Sequence, residues 1–144
     1  MAVLVALEKV TVVHGVAHVL DAVTTGVLGG QRIGVVGRNG YGKSTLLRVL
    51  AGTQEPDGGR VTRTGSTTIG LLGQTDELDP NDTVRAALVG ERPDHEWAGD
   101  ARVRDVLSGL LGGVDAPAVG GLTARVGPLS GGERRRLALA ALLI

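Results

Sequence analysis

Along the first part of the chain, apolar and polar positions alternate with a period of two. Val3, Val5 and Leu7 share one face of an extended segment, and Val10 to Val13 is a largely β-branched run. The Val/Thr-rich stretch from Val16 to Leu28 continues the pattern, with Gly26 interrupting it, and Gly29-Gly30 predicts a turn. Residues 32–36 (Arg-Ile-Gly-Val-Val) then read as a short buried strand, apolar on both faces as in a parallel sheet covered by helices.

The period lengthens after residue 42. Leu46, Leu47, Val49 and Leu50 predict a buried helix over residues 43–51, stopped by Gly52 at the usual place of a left-handed C-cap. Pro56-Asp57-Gly58-Gly59 predicts a turn, and two short strands are expected at 60–64 and 68–72. Residues 74–80 are polar and acidic. Two amphipathic helices are expected at 83–89 and 101–111, joined by a charged segment carrying Trp97, and residues 112–128 read as a Gly/Pro-punctuated loop. A last helix starts at Gly131 and is still running at Ile144. No internal repeat interrupts this order.

Composition narrows the function. With 144 residues, the chain fits one ordinary domain. Fifteen Lys and Arg balance fifteen Asp and Glu, which argues against a generic nucleic-acid or anionic-membrane surface. Tyr41 and Trp97 are the only aromatic residues, so the core is built from Val, Leu, Ile and Ala, and base stacking is not a main binding mode. The absence of cysteine excludes disulfides and thiolate metal sites. No apolar stretch approaches the roughly 18 residues of a membrane span, and the N-terminus lacks the cationic start of a signal peptide. A soluble, cytoplasmic protein is the expectation.

Glycine is the outlier: its 24 residues are far above the roughly 7% of an average protein. Several of them sit in one pattern. Gly37-Arg38-Asn39-Gly40-Tyr41-Gly42-Lys43-Ser44 satisfies G-x-x-x-x-G-K-[ST], between an expected strand and an expected helix. Glycines at these places let successive backbone N–H groups turn inward around an anion, and the helix start aims its positive end at the same point. Lys43 would bridge the β- and γ-phosphates of a nucleotide, Ser44 would ligate Mg²⁺, and Thr45 would help to hold the α-phosphate. The plainer reading, a Gly-rich turn with an incidental lysine, has to place one of only two lysines at the motif position by chance.

A second pattern opens the last helix: Leu129-Ser130-Gly131-Gly132-Glu133. Ser130 and Glu133 form an S-x-x-E capping box, a sufficient structural reason for both residues. It does not explain two glycines in a first helical turn, which cost stability against alanine. Nor does it explain Arg134 to Arg136 at the end of the helix where the macrodipole disfavours cations. A first turn stripped of side chains would let a large anion reach the exposed N–H groups.

Together, in this order, G-R-N-G-Y-G-K-S-T and L-S-G-G-E resemble the Walker A and signature motifs of the ATP-binding cassette (ABC) ATPases, over essentially the whole chain. The resemblance implies an α/β P-loop NTPase fold, with an N-terminal antiparallel β subdomain and a helical insert, truncated before the Walker B strand. It divides the chain into a β subdomain with the Walker A core (1–73), a Q-loop and helical region (74–128) and the signature motif with its helix (129–144). Gln74 falls where the family's Q-loop glutamine contacts Mg²⁺ and the attacking water. His14 falls where the family stacks an aromatic residue on adenine; a plain strand-end histidine is the alternative. His14 and His18 are four residues apart, but no further ligand set accompanies them.

The stretches L-D-P-N-D-T-V-R-A-A-L, H-E-W-A-G-D-A-R-V-R-D-V-L and L-S-G-G-E-R-R-R-L-A-L-A resemble the ABC-F branch, nearest its Uup-type members. That branch carries two cassettes on one chain without a membrane domain and is associated with the ribosome. The resemblance implies ATP and Mg²⁺ as ligands, a second cassette as partner, possible ribosome contact and no direct membrane insertion. It also implies ATP hydrolysis at a site shared between two cassettes, with this chain inactive alone for want of the Walker B aspartate and catalytic glutamate. Two departures stand out: Gly73 replaces a frequent proline, which would loosen the Q-loop, and Ala141 replaces a usual arginine. Alternatives are the nucleotide-binding subunit of a membrane transporter and a non-catalytic ATP-binding module; a P-loop kinase has no use for the second motif.

Overall fold

The computed structural model describes residues 2–144. They form two compact units, one through Leu71 and one from Leu72 to Ile144.

The first unit is built on a three-stranded antiparallel sheet. Strand β1 (Val3–His14) lies between β2 (Ala17–Leu28) and β3 (Gly58–Arg63). Its inward residues change phase: Val5 and Leu7 are buried, then Val10 and Val12. The cause is a bulge. Three steps along β1, from Leu7 to Val10, match two along β2, from Thr25 to Val23, and the extra residue Lys9 has φ +49°. The next step reverses the offset, because Val12 pairs with Leu20 and Ala22 takes φ +46°.

Each bulged N–H finds a threonine on the opposite strand. Lys9 N–H donates to Thr24 Oγ1 at 3.0 Å, and Ala22 N–H donates to Thr11 Oγ1 at 3.1 Å. Gly59 faces the first bulge with φ +83°; a Cβ there would lie 2.3 Å from the Lys9 carbonyl oxygen, so no other residue fits. The sheet runs through Gly26, which pairs with Ala6.

Helix α1 (Lys43–Ala51) packs Val49 into the core formed by Leu7, Val10, Val12 and Leu20. It ends at Gly52 in the left-handed conformation, as expected. Arg63 Nη2 donates to the carbonyls of Val49 and Leu50 at 3.1 and 3.3 Å, placing a cation at the negative end of the helix.

Two expected strands do not form. Residues 32–36 and 68–72 carry no ladder hydrogen bonds; Ile33 is 55% exposed and Val36 92%. A strand apolar on both faces is stable only with hydrogen-bonded neighbours and covered faces. Among the described residues β1, β2 and β3 pair only with one another, and neither run joins the free edge of β2 or of β3. The expected turn at 56–59 is also shorter, because Gly58 and Gly59 already belong to β3.

The second unit is helical: α2 (Val84–Val89), α3 (Asp94–Trp97), α4 (Ala101–Leu111), a 3-10 turn at Pro117–Val119 and α5 (Gly131–Leu143). Their starts are set by local chemistry. Thr83 accepts from Ala86 N–H at 3.1 Å and Asp100 from Arg102 N–H at 2.8 Å. Leu107, Leu111, Val119, Val126 and Leu137 form the centre of the core. Within residues 112–128, backbone bonds from Val84 N–H to Ala124 O and from Val126 N–H to Asp82 O tie the loop against the start of α2. Trp97 is buried; its indole N–H has no acceptor at hydrogen-bond distance, though it lies near enough to Asp94 to add to the effect of Arg85 in lowering that carboxyl. No helix among the described residues is long and apolar enough to cross a membrane.

Candidate functional site

The loop from Gly37 to Ser44 leads directly into α1. Gly42 is the N-cap, with φ +84°, and the helix start has neither a side-chain cap nor an acidic residue in its first turn. Such a start leaves backbone N–H groups and the positive end of the dipole directed at whatever fills the loop. Gly42 lies against β2: a Cβ there would come 2.6 Å from the Val19 carbonyl oxygen. The hairpin thus fixes how closely the loop can approach it.

Lys43 folds back across the loop. Its Nζ donates to the carbonyls of Gly37 at 2.6 Å and Arg38 at 2.8 Å. The ammonium therefore spans the loop's opening, where a phosphate would share it. Arg38, Asn39, Gly40 and Tyr41 are exposed, as is Ser44, whereas Thr45 is only 6% exposed. Ser44 is thus the hydroxyl open to a ligand, and Thr45 points into the packing of the unit. His14 ends β1 in an exposed position beside the Gly15-Val16 turn. His18 Nδ1 lies 3.8 Å from Asp21 Oδ1. Among the described residues no three His, Cys, Asp or Glu side chains gather as a metal site.

In the second unit, Leu129 to Glu133 open α5 as a complete capping box. Ser130 N–H donates to Glu133 Oε2 at 2.8 Å, and Glu133 N–H to Ser130 Oγ at 3.3 Å. The Ser130 backbone and side-chain hydrogen bonds hold the Glu133 carboxyl below its ordinary pKa. Gly131 and Gly132 are exposed, and beyond their own helical turn nothing lies within 4 Å of where a Cβ would stand.

The arginines that the sequence leaves unexplained have partners here. Arg134 meets Asp76 through Nη2–Oδ1 at 2.6 Å and through Nε at 3.2 and 3.3 Å, and also donates to Leu78 O at 3.2 Å. The two side chains are 23% and 17% exposed. Arg134 holds the Asp76 carboxyl below its ordinary pKa, and Asp76 raises that of Arg134. Arg135 donates to the Gly73 carbonyl. Gln74 sits exposed between these two fastenings. Gly73 therefore does not free the loop: its carbonyl and Asp76 are both held. Ala141 lies partly buried against the helical core. Sequence reasoning missed Asp76 and Arg134 as a pair; the available signal was an acidic stretch at 76–79 facing three consecutive arginines.

The ABC transporter family model matches residues 20–144. The chain is 37% identical to the tylosin resistance ATP-binding protein TlrC of Streptomyces fradiae, over 90% of this chain and 31% of that protein. It is 31% identical to the energy-dependent translational throttle protein EttA of Mycobacterium tuberculosis, over 96% of this chain and 30% of that one. It is 38% identical to the Fe(3+) ions import ATP-binding protein FbpC of Streptomyces coelicolor, over 95% and 41%. The chain thus spans less than half the length of these relatives. A solved ATP-binding subunit of an ABC transporter superposes with TM-score 0.74 at 19% identity, over 96% of this chain and 61% of that one, which establishes a shared fold.

Proposed function

The chain belongs to the ABC transporter family of ATP-binding domains, and from that premise we propose that it binds Mg²⁺-ATP through residues 37–45 and presents residues 129–133 to the nucleotide of a second cassette. The observation that carries this reading is Lys43 lying across the loop carbonyls at an uncapped helix start. The site suits a polyphosphate: N–H groups, an ammonium and no competing carboxylate in the first turn. The oxygen donors of Ser44 and Gln74 are the kind Mg²⁺ takes, and the ion would neutralise charge on the β- and γ-phosphates. Lys43 would hold the same two groups. His14 would lie against the adenine, more weakly than a larger aromatic residue.

Hydrolysis is a phosphoryl transfer to water, accelerated by positioning and by charge stabilisation. In this reading the start of α5 contributes across the shared site. The bare first turn of Gly131 and Gly132 lets the γ-phosphate approach backbone N–H groups, while Ser130 and Glu133 keep the helix start in shape. Lys43→Ala is expected to abolish binding of a fluorescent ATP analogue. Ser130→Arg is expected to keep binding but remove turnover in the cassette pair. Magnesium-dependent turnover that survives Ser130→Arg and is lost with Lys43→Ala would overturn the shared site.

The cellular role we favour is the ABC-F one, a cytoplasmic ATPase acting in ribosome- or translation-related work. Its support is the run of residues 78–88, which resembles that branch, together with the similarity to a translational throttle protein. The similarity to an iron-import subunit keeps a second reading, in which the domain powers a separate membrane protein. Sedimentation of the tagged protein from lysate decides: recovery with ribosomes supports the first reading, and recovery with membranes the second.

A further inference from the structure

We infer that Arg134 is a positioning residue for Gln74, setting the Q-loop glutamine from the first turn of the helix that carries the 129–133 segment. The inference rests on the reading of Gln74 as a Mg²⁺ ligand and names what holds it there. Residues 72–83 lack regular secondary structure, so no ladder or helix fixes Gln74. Its neighbours are fixed by α5 instead. On one side the Gly73 carbonyl accepts from Arg135. On the other, Asp76 takes three contacts from Arg134, and Leu78 O takes a fourth. The partners are 58 residues apart, so this closure ties a long segment to the helix start.

The geometry favours positioning over general adhesion. A planar guanidinium engaging a carboxylate through two nitrogens fixes orientation as well as distance. At 23% and 17% exposure the pair is less screened than an open surface pair. The capping box bonds Ser130 to Glu133, immediately before Arg134, so the arginine projects from just behind a capped helix start. A displacement of the α5 start is therefore passed to the flanks of Gln74 through two side chains, Arg134 at Asp76 and Arg135 at Gly73.

The test uses the full chain and three variants: Asp76→Asn, which keeps shape, Arg134→Ala, and the exchange of the two residues (Asp76→Arg with Arg134→Asp). Cleavage after the exposed Glu77 by a glutamate-specific protease, without nucleotide, is measured first. It is expected to be about tenfold faster in each single variant, with cleavage after Glu96 unchanged and partial recovery in the exchanged pair. Affinity for ATP is then measured with Mg²⁺ and with a chelator. Both single variants are expected to lose several-fold of the Mg²⁺-dependent gain while keeping metal-free affinity, as Gln74→Ala should. Unchanged cleavage after Glu77 overturns the inference, as does equal loss of affinity with and without metal. If Gln74→Ala loses the Mg²⁺ gain and Arg134→Ala keeps it, positioning fails alone. If Gln74→Ala keeps the gain, the metal role of Gln74 is what falls, and positioning for that role falls with it.

Discussion

Replacing Gly131 and Gly132 by alanine should make the protein more stable and less functional. Neither glycine has a positive φ, and beyond their own helical turn nothing lies within 4 Å of the alanine methyl position. The fold therefore gives no reason for glycine at either place. A helix-interior glycine costs about 1 kcal/mol relative to alanine, and a first-turn position, whose N–H has no intrahelical partner, about half of that. The double variant should gain about 1 kcal/mol, or roughly 4–8 °C of melting temperature for a unit of this size. Gly109 in α4 calibrates the scale, since it also has open space and an ordinary φ; Gly109→Ala should gain about 1 kcal/mol alone. Melting is followed by far-ultraviolet circular dichroism, and ATP-dependent pairing by analytical ultracentrifugation. The reasoning fails if Gly109→Ala stabilises while Gly131→Ala/Gly132→Ala destabilises. The functional half fails if the stabilised double variant shows the same ATP-dependent pairing as the parent.

The loop glycines should behave in the opposite sense, and they form an internal control. Gly40 (φ +85°) has open space, so Gly40→Ala should cost about 1 kcal/mol of backbone strain, whereas Gly42→Ala adds contact with the Val19 carbonyl at 2.6 Å and should cost about 1–2 kcal/mol more; equal losses in urea titration would refute that contact. Leu107 is fully buried, and Leu107→Ala should cost about 2–5 kcal/mol, visible as loss of helicity, whereas Leu143→Ala, at a position 40% exposed, should stay within about 1 kcal/mol. Asp76, Asp94 and Glu133 all have folded-state pKa values below their ordinary 3.8, 3.8 and 4.5, so their contribution is present above those values and lost as pH falls through the lowered ones. Acid titration of the helical unit should therefore show destabilisation beginning near pH 4.5, and Asp76→Asn should flatten part of it; an unchanged acid limb in that variant would remove Asp76 from the account.

The parts of this fold that were legible in the sequence are those settled within a few residues. Helix α1 runs from Lys43 to Ala51 and α4 from Ala101 to Leu111, as expected, because Gly52, Asp100 and Gly112 terminate them by local backbone and side-chain chemistry. The glycine-rich entry into α1 and the capping box of α5 are local in the same way. Residues 32–36 and 68–72 have suitable β composition, but a strand needs partners from elsewhere, and composition does not say whether an edge is offered. The bulges at Lys9 and Ala22 are less local: Glu8-Lys9 between Leu7 and Val10 shifts the apolar alternation by one, but the Thr24 and Thr11 hydroxyls that satisfy the two bulged N–H groups come from across the sheet. The Arg134–Asp76 pair joins residues 58 apart, and only complementary charge announced it.

The glycine excess separates by what a side chain would meet. At Gly59 a Cβ would strike the Lys9 carbonyl, and at Gly42 the Val19 carbonyl, so the fold itself requires those two. At Gly131 and Gly132 it would meet nothing, in a helix that alanine would strengthen. A residue that the fold does not need and that local stability disfavours calls for a reason outside the described packing. For these two the reason consistent with their place is access: their N–H groups stand bare at the positive end of α5, beside a serine and a glutamate already occupied with each other. Arg134 and Arg135 turn away from that opening toward residues 73–78. The start of α5 thus stays bare while Arg134 and Arg135, one turn on, bond to Asp76, Leu78 and Gly73, so charge that is unfavourable for the helix alone is taken up by contacts to that loop.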